Sequence, residues 1–447
     1  MAQLPAYEQY QPIDYDYVKQ LPTGWQLWKI AHAFNLIGSG TTPESGNEKF
    51  YINGSINWIN TGDLNDGVLE SCKNKITKEA FKKHSVLKIY PKGTLLIAMY
   101  GATIGKVAVT NIESCTNQAC CALSKSKILT NKFTLYWFIA NRKNIVNLSY
   151  GGGQPNISQD VIKKLKIPVP PLDTQNRIVE YLDKKNNEID RFIRNKERLI
   201  ALLEEQKKEI INQCVTLGLD KNVKLKETEL GQIPEHWEIR RLGTIGRFSK
   251  GGNISRSELT TVDNSIADVS AVLYGDIYTK YDIVADNIVN KISTKTASYS
   301  VQLKNGDLLF TGSGETKEDI GKCVLFNSDQ KTYAGGDVII FKQTIFDSHF
   351  ISYSQNSFMA KYQKYNSAKG EIIVHTYGSK LRDVTMPYPS SIEEQKQIVE
   401  FINKEHQVIN LAISKAQQEI TAIKEYREAL ITDLVTGKRC LPPSIPK

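Results

Sequence analysis

The chain has 447 residues, 40% apolar and 23% charged, enough for two to four domains with sizeable cores. Lys and Arg number 57 against 48 acids, a net charge of +9; that surplus suits phosphate contacts without proving them. The longest apolar run, Leu95-Leu96-Ile97-Ala98-Met99-Tyr100, is too short to span a bilayer, and no basic-then-apolar leader opens the chain. The seven cysteines form no CxxC pair and the six histidines show no metal-ligand spacing. Cys120-Cys121 lies within an apolar strand-like run, so the expectation is buried reduced thiols in a cytoplasmic protein, with no structural metal.

In chain order, residues 1–20 form a Tyr- and Gln-rich N-terminal extension, to which only an extra partner contact can be assigned. Residues 21–171 follow as a first globular domain. Short strand-like runs such as Thr94–Met99 and Lys106–Thr110 are separated there by Gly and Asn turns, which predicts a mostly β or α+β fold. Residues 172–218 contain no Pro and no Gly before Gly218, and Pro168, Pro170 and Pro171 precede them; these start and stop signals predict one long helix. A linker at 219–232, a second globular domain at 233–390, a second long helix at 391–436 and a tail at 437–447 complete the chain.

The second half repeats the first. Leu21-Pro22-Thr23-Gly24-Trp25 returns as Ile233-Pro234-Glu235-His236-Trp237 at an offset of 212, and Gly62-Asp63-Leu64 returns as Gly275-Asp276-Ile277 at 213. Gly105-Lys106 matches Gly321-Lys322 at 216, and Ile178-Val179-Glu180 matches Ile398-Val399-Glu400 at 220. An offset that rises slowly and never falls marks a duplication with small insertions.

The helices carry heptads. Leu182, Ile189, Leu203, Ile210 and Leu217 share one position of the first, and Ile178, Phe192 and Leu199 the other, with Lys185, Lys196, Gln206 and Gln213 interrupting the seam. In the second, Ile402, Ile409, Ala416, Ile423 and Leu430 align with Ile398, Ala412 and Tyr426. A helix of ~40 residues is about 60 Å long and needs a partner, which points to an antiparallel coiled coil of the two with pseudo-two-fold symmetry. The competing expectation is that each helix packs on its own domain.

Ile233-Pro234-Glu235-His236-Trp237-Glu238 with Arg241-Leu242, and the Pro-rich lead into Gln175-x-x-Ile178-Val179-Glu180, resemble type I restriction-modification specificity subunits. The resemblance spans nearly the whole chain. It implies two target recognition domains that bind double-stranded DNA, joined by the long helices. It implies two modification (methyltransferase) subunits as partners, and restriction (translocase-nuclease) subunits in the full complex. S-adenosylmethionine, ATP and Mg are then expected on those partners and no cofactor on this chain. The second domain departs from the first: Val272-Leu273-Tyr274-Gly275 replaces Ile59-Asn60-Thr61-Gly62, and Gly251-Gly252-Asn253-Ile254 lacks the proline of Gly40-Thr41-Thr42-Pro43. Two different half-sites, hence an asymmetric target, are expected.

Catalytic motifs are near-misses. Gly101-Ala102-Thr103-Ile104-Gly105-Lys106 imitates a phosphate loop but is one residue short, with Val107 where a Mg²⁺-binding hydroxyl belongs. Asp307 with Glu315-Thr316-Lys317 imitates a nuclease D…ExK set on a turn-like stretch. Projecting amide, hydroxyl and cationic groups on the same stretches better suit base edges and phosphates. The candidates are Tyr100, Thr103, Lys106, Gln118, Gln154 and Asn156 in the first domain, and Ser313, Lys317, Lys322, Lys369, His375 and Tyr377 in the second. Gly151-Gly152-Gly153 before Gln154 would let backbone approach DNA. Trp25 and Trp237 are expected in the core rather than stacked on bases. The reading is a non-catalytic DNA-binding specificity subunit. A self-contained restriction or modification enzyme, and a coiled-coil scaffold whose globular ends bind proteins, are the rivals.

Overall fold

The computed structural model describes residues 4–15, 18–149, 156–260, 269–314, 316–370 and 374–442. The chain divides into two units, residues 1–196 with 418–447 and residues 197–417. Each unit therefore takes the first part of one long helix and the last part of the other. The two units repeat one topology, so the duplication visible in the sequence is a duplication of fold.

Each unit has a five-stranded sheet. In unit one the spatial order is Leu36–Gly38, Cys120–Ser124, Leu95–Ala98, Val107–Thr110, Val68–Leu69. In unit two it is Arg247–Lys250, Val338–Lys342, Leu308–Thr311, Cys323–Phe326, Val284–Ala285. Only the last pair of each sheet is parallel. Alternation along a strand sends neighbours to opposite faces, and both faces here are covered. Leu95 and Ile97 join one core cluster while Leu96 and Ala98 join another. Leu308 and Phe310 likewise part from Leu309. Continuous apolar strands follow from this two-sided burial. Cys120 and Cys121 are wholly buried, on opposite faces, and burial pushes the Cys121 thiol up to about 12.

The stretches read as an N-terminal extension and as a linker contain the same hairpin, once per unit. Tyr10–Tyr15 pairs antiparallel with Val18–Pro22, and Leu225–Thr228 with Gly231–Pro234. The tail closes on the first of them: the Cys440 N–H donates to the Pro5 carbonyl at 2.8 Å, and Tyr10 Oη donates to the Lys438 carbonyl at 3.1 Å. Trp25 and Trp237, 3% and 0% exposed, anchor the two cores, edge-on to Phe133 and Phe350.

The long helices run Leu172–Leu217 and Ile392–Val435. Gln175 and Gln395 are buried and fasten their first turns. The Gln175 amide donates to the carbonyls of Ile128 (2.7 Å) and Pro170 (2.8 Å) and accepts from the Thr130 N–H (2.8 Å). Gln395 donates to Pro389 O and accepts from Asp347 N, both at 2.9 Å. The shared Gln-x-x-Ile-Val-Glu motif is thus a clamp between helix and domain.

Within each unit the two helix segments pack antiparallel. In unit one Asp190 pairs with Arg427, and Lys196 with Glu419 at 2.6 Å. In unit two His406 Nε2 lies 3.1 Å from the Lys207 carbonyl. The apolar ends of the segments enter their units' cores, Leu430, Ile431, Leu434 and Val435 in unit one and Ile211, Cys214 and Val215 in unit two. Coiled-coil pairing and packing on the domain, opposed in the sequence reading, therefore coexist.

The expected seam needs one correction. Leu182, Ile189, Ile402, Ile409 and Ala416 are buried as expected, but Phe192, Leu199 and Leu217 are 37–40% exposed and Ala412 is exposed. Ile193 and Ile413 are buried instead, one residue on. A helix of 3.6 residues per turn drifts about 20° per heptad from a 3.5 repeat, so the apolar i+4 neighbour takes over. Gln206 and Gln213 are exposed rather than interrupting the seam, while Lys196 reaches across it to Glu419.

Candidate nucleic-acid interface

In both units the chain leaves the central strand through one main-chain frame. After Leu95–Ala98, Met99 N donates to Ala119 O (2.8 Å), Ile157 N donates to Met99 O (2.9 Å), and Tyr100 forms an antiparallel bridge with Asn156. After Leu308–Thr311, Gly312 N donates to Asp337 O (2.8 Å), Thr376 N donates to Gly312 O (3.0 Å), and Ser313 pairs with His375. Tyr100 and Asn156 in unit one thus hold the positions of Ser313 and His375 in unit two. The frame is constant and the side chains differ.

In unit one this frame collects Tyr100, Thr103, Lys106, Gln118 and Asn156. Gly101–Thr103 is a single 3-10 turn, and Thr103 Oγ1 donates to the Tyr100 carbonyl at 3.4 Å. Lys106 is exposed. Gln118 is exposed, its Oε1 accepting from Thr42 Oγ1 at 2.6 Å. Asn156 Oδ1 is buried without a partner among the described residues, an acceptor without a donor at the centre of the cluster. Gln154 and Gly151-Gly152-Gly153 lie outside the described residues.

In unit two Ser313 Oγ and His375 Nδ1 are 3.0 Å apart, and the His375 and Tyr377 rings lie near-parallel, 6.5 Å between centroids. Tyr377 is 56% exposed. Lys369 exchanges two backbone hydrogen bonds with His375 and exposes its side chain. Lys317 is part-exposed past Ser313. Lys322 is not brought to this cluster: its ammonium donates to the Tyr281 carbonyl at 2.6 Å, and burial lowers its pKa.

A basic side chain braces the base of each loop. Arg142 Nε donates to Gly105 O (3.0 Å) and its guanidinium pairs with Asp66. Lys364, wholly buried, donates to Gly321 O (2.6 Å) and Gln355 O (2.7 Å). Both glycines have positive φ, +77° and +68°, which a side chain would strain. Neither brace is visible in the sequence, because Arg142 and Lys364 do not share the offset of the glycines they hold. The repeated Gly-Asp-Leu/Ile motif is also structural: Asp63 and Asp276 each accept the backbone N–H three residues earlier, Asn60 and Leu273, at 2.8 Å.

The catalytic look-alikes take other shapes. Gly101–Lys106 joins two antiparallel strands, so no helix N-terminus faces a phosphate there. Asp307 stands before Leu308–Thr311 and Lys317 beyond it, about 13 Å of strand between them. The Asp307 carboxylate accepts from the Lys304 N–H at 2.8 Å and lies 3.6 Å from Lys342 Nζ; burial raises its pKa. Glu315 lies outside the described residues. Among those residues no helix is long and apolar enough to cross a membrane.

The fold is that of a duplicated α+β protein whose two long helices pack antiparallel within each unit, and solved structures share it. One chain, from work on complex assembly and conformational transition of the type I R-M system, superposes with a TM-score of 0.70 at 14% identity, over 93% of this chain and 98% of that one. The HsdS subunit from Thermoanaerobacter tengcongensis gives 0.54 at 14% identity, over 94% and 98%. The type I restriction modification DNA specificity domain matches twice, at residues 22–205 and 234–424. The type I restriction enzyme MjaIX specificity subunit of Methanocaldococcus jannaschii is 26% identical over 439 residues, 94% of this chain and 95% of that protein. The EcoKI specificity subunit of Escherichia coli K12 is 23% identical over 320 residues, 70% and 66%. The chain belongs to the family of type I restriction-modification DNA specificity subunits.

Proposed function

We propose that this chain is the non-catalytic reader of a type I restriction-modification complex. Each unit reads one half of a bipartite, asymmetric target in double-stranded DNA. The long helices dock two methyltransferase subunits, and S-adenosylmethionine, ATP and Mg²⁺ act on those and on the translocase-nuclease subunits. The observation that carries this reading is the constant frame with changed side chains. Tyr100, Thr103, Lys106, Gln118 and Asn156, with Gln154, form one set; Ser313, Lys317, Lys369, His375 and Tyr377 form the other, with Lys322 behind it. Base edges in the major groove differ in donor and acceptor pattern, so one frame bearing two polar sets reads two half-sites. Support for docking on the helices comes from apolar side chains left open to solvent: Phe192, Leu202, Phe401, Val408 and Leu411 are 37–66% exposed.

Co-expression with its modification subunits in a host without endogenous adenine methylation, followed by mapping of methylated adenines, tests the reading. One bipartite motif with unlike halves is expected. Methylation at a single half-site, or methyl transfer or DNA cleavage by the purified chain alone, overturns it.

A further inference from the structure

The reading frame of unit two encloses a cavity of about 330 Å³ lined by Lys250, Ser313, Thr376, Ser379 and Arg382, with Asp337 the acid on its wall. Two observations mark it as a built site. Lys250 and Arg382 are exposed, and neither side chain has a hydrogen-bond or ion-pair partner among the described residues. The Thr376 hydroxyl, on a residue 1% exposed, has no partner either. A buried hydroxyl without a partner is destabilising, so a ligand that accepts its proton recovers that loss.

Unit one carries different side chains at the same place. Tyr100, where unit two has Ser313, packs its ring against the core. Ile157, wholly buried, stands at the position of Thr376. Lys163, at the position of Arg382, pairs with Asp160 at 3.5 Å. The unpartnered hydroxyl and the unpaired cation of unit two are thus replaced together in unit one.

We infer that this cavity takes a phosphate of the target DNA backbone, held by Lys250 and Arg382 with the Thr376 hydroxyl donating to a phosphate oxygen. Two cations and a hydroxyl donor match a phosphate's single charge and several acceptor oxygens, and the lone Asp337 leaves the wall net cationic. The contact fixes register on one half-site and carries no base information itself. The inference rests on the proposed DNA-reading function.

The test uses the full chain assembled with its methyltransferase subunits and a labelled duplex carrying its methylation motif. Lys250→Ala and Arg382→Ala should each weaken binding by a similar factor on every duplex, lower the salt slope by about 1 and leave the methylated motif unchanged. Thr376→Val should weaken binding without lowering the unfolding midpoint, since it removes an unpartnered hydroxyl at constant shape. A neutral methylphosphonate at one linkage of that half-site should cost the wild type what Arg382→Ala costs, and the two losses should not add. Wild-type affinity and slope in Lys250→Ala and Arg382→Ala overturn the inference. So does a shifted base preference, which assigns the cavity to a base edge, or weakened binding of inorganic phosphate with duplex binding intact, which assigns it to a free anion. A wild-type complex that selects no sequence sinks the function itself, and the inference with it.

Discussion

Gly218, the first residue past the first long helix, lies against the indole of Trp237: a Cβ added there would stand 3.3 Å from Trp237 Cζ2. The same relation ends the second long helix, where a Cβ on Gly437 would stand 3.2 Å from Trp25 Cζ3 and 2.6 Å from Pro22 Cδ. Both glycines are left-handed, φ +75° and +74°, as a helix C-cap requires. In each unit, then, the tryptophan that anchors the core also receives the end of a long helix.

Gly218→Ala should cost about 1–2 kcal/mol from the left-handed backbone alone. Gly437→Ala should cost more, because the new methyl also meets Pro22. Gly62→Ala, with nothing within 4 Å and no positive φ, should stay within about 0.5 kcal/mol. Urea unfolding midpoints check the order; equal effects at all three would show that the caps do not matter.

Gln395→Met should be far costlier than an ordinary surface change. It leaves the buried Pro389 carbonyl unpaired, at about 1–3 kcal/mol, and the part-buried Asp347 N–H without its side-chain partner. Gln397→Met, on the exposed face of the same turn, is the control. A Gln395→Met protein as stable as that control would remove the clamp from the account of the motif.

Much of this was legible in the sequence for definite reasons. Pro and Gly exclusion over forty-odd residues has few causes besides a long helix, and the drifting repeat offset has few besides duplication. The seam phase was not legible, because Phe192 and Ile193, and Leu199 and Ile200, are all apolar and local periodicity accepts either register. The hairpins at 10–22 and 225–234 hid because their strands are short and mixed in polarity. Lys106 and Lys322 match in sequence yet differ in surroundings. One is exposed and the other engages Tyr281 O, a carbonyl 41 residues away in sequence. Pocket and brace residues such as Thr376, Arg142 and Lys364 gain their meaning only from tertiary neighbours.

That difference separates two lysine variants. Lys106→Ala should lower the salt slope of DNA binding by about 1 while base preference holds. Lys322→Ala should leave the slope unchanged and instead lower the unfolding midpoint, since the Tyr281 carbonyl loses its donor. Binding titrations at several salt concentrations decide it. Equal loss of slope in both variants would mean that the Lys322 ammonium leaves Tyr281 to reach DNA.

Lys364 predicts a pH signature. Burial, aided by the charge of the neighbouring Lys361, pushes its pKa down to about 7, against about 10.4 in an unfolded chain. Between those values the unfolded state binds more protons, so this residue makes stability rise with pH, by at most about 1.4 kcal/mol per unit; below about 7 its contribution is flat. The wild type should therefore gain stability over Lys364→Met between pH 7 and pH 9. Titrations common to both proteins cancel in the difference. Parallel stability curves would refute the assignment.

The two units should read different halves of the target. Asn156 and His375 hold one position in the two frames, and a bidentate or donor contact to the wrong base costs about 1–3 kcal/mol. His375→Asn should relax or change the bases of one half-site, roughly a 10- to 100-fold loss of discrimination there, and leave the other half intact. Asn156→His should do the same to the opposite half. Methylation mapping of both variants, co-expressed with the modification subunits, reads the halves separately. If either variant altered both halves together, the two units would not read independently; if neither altered any base, the frame would position the DNA and sequence would be read elsewhere.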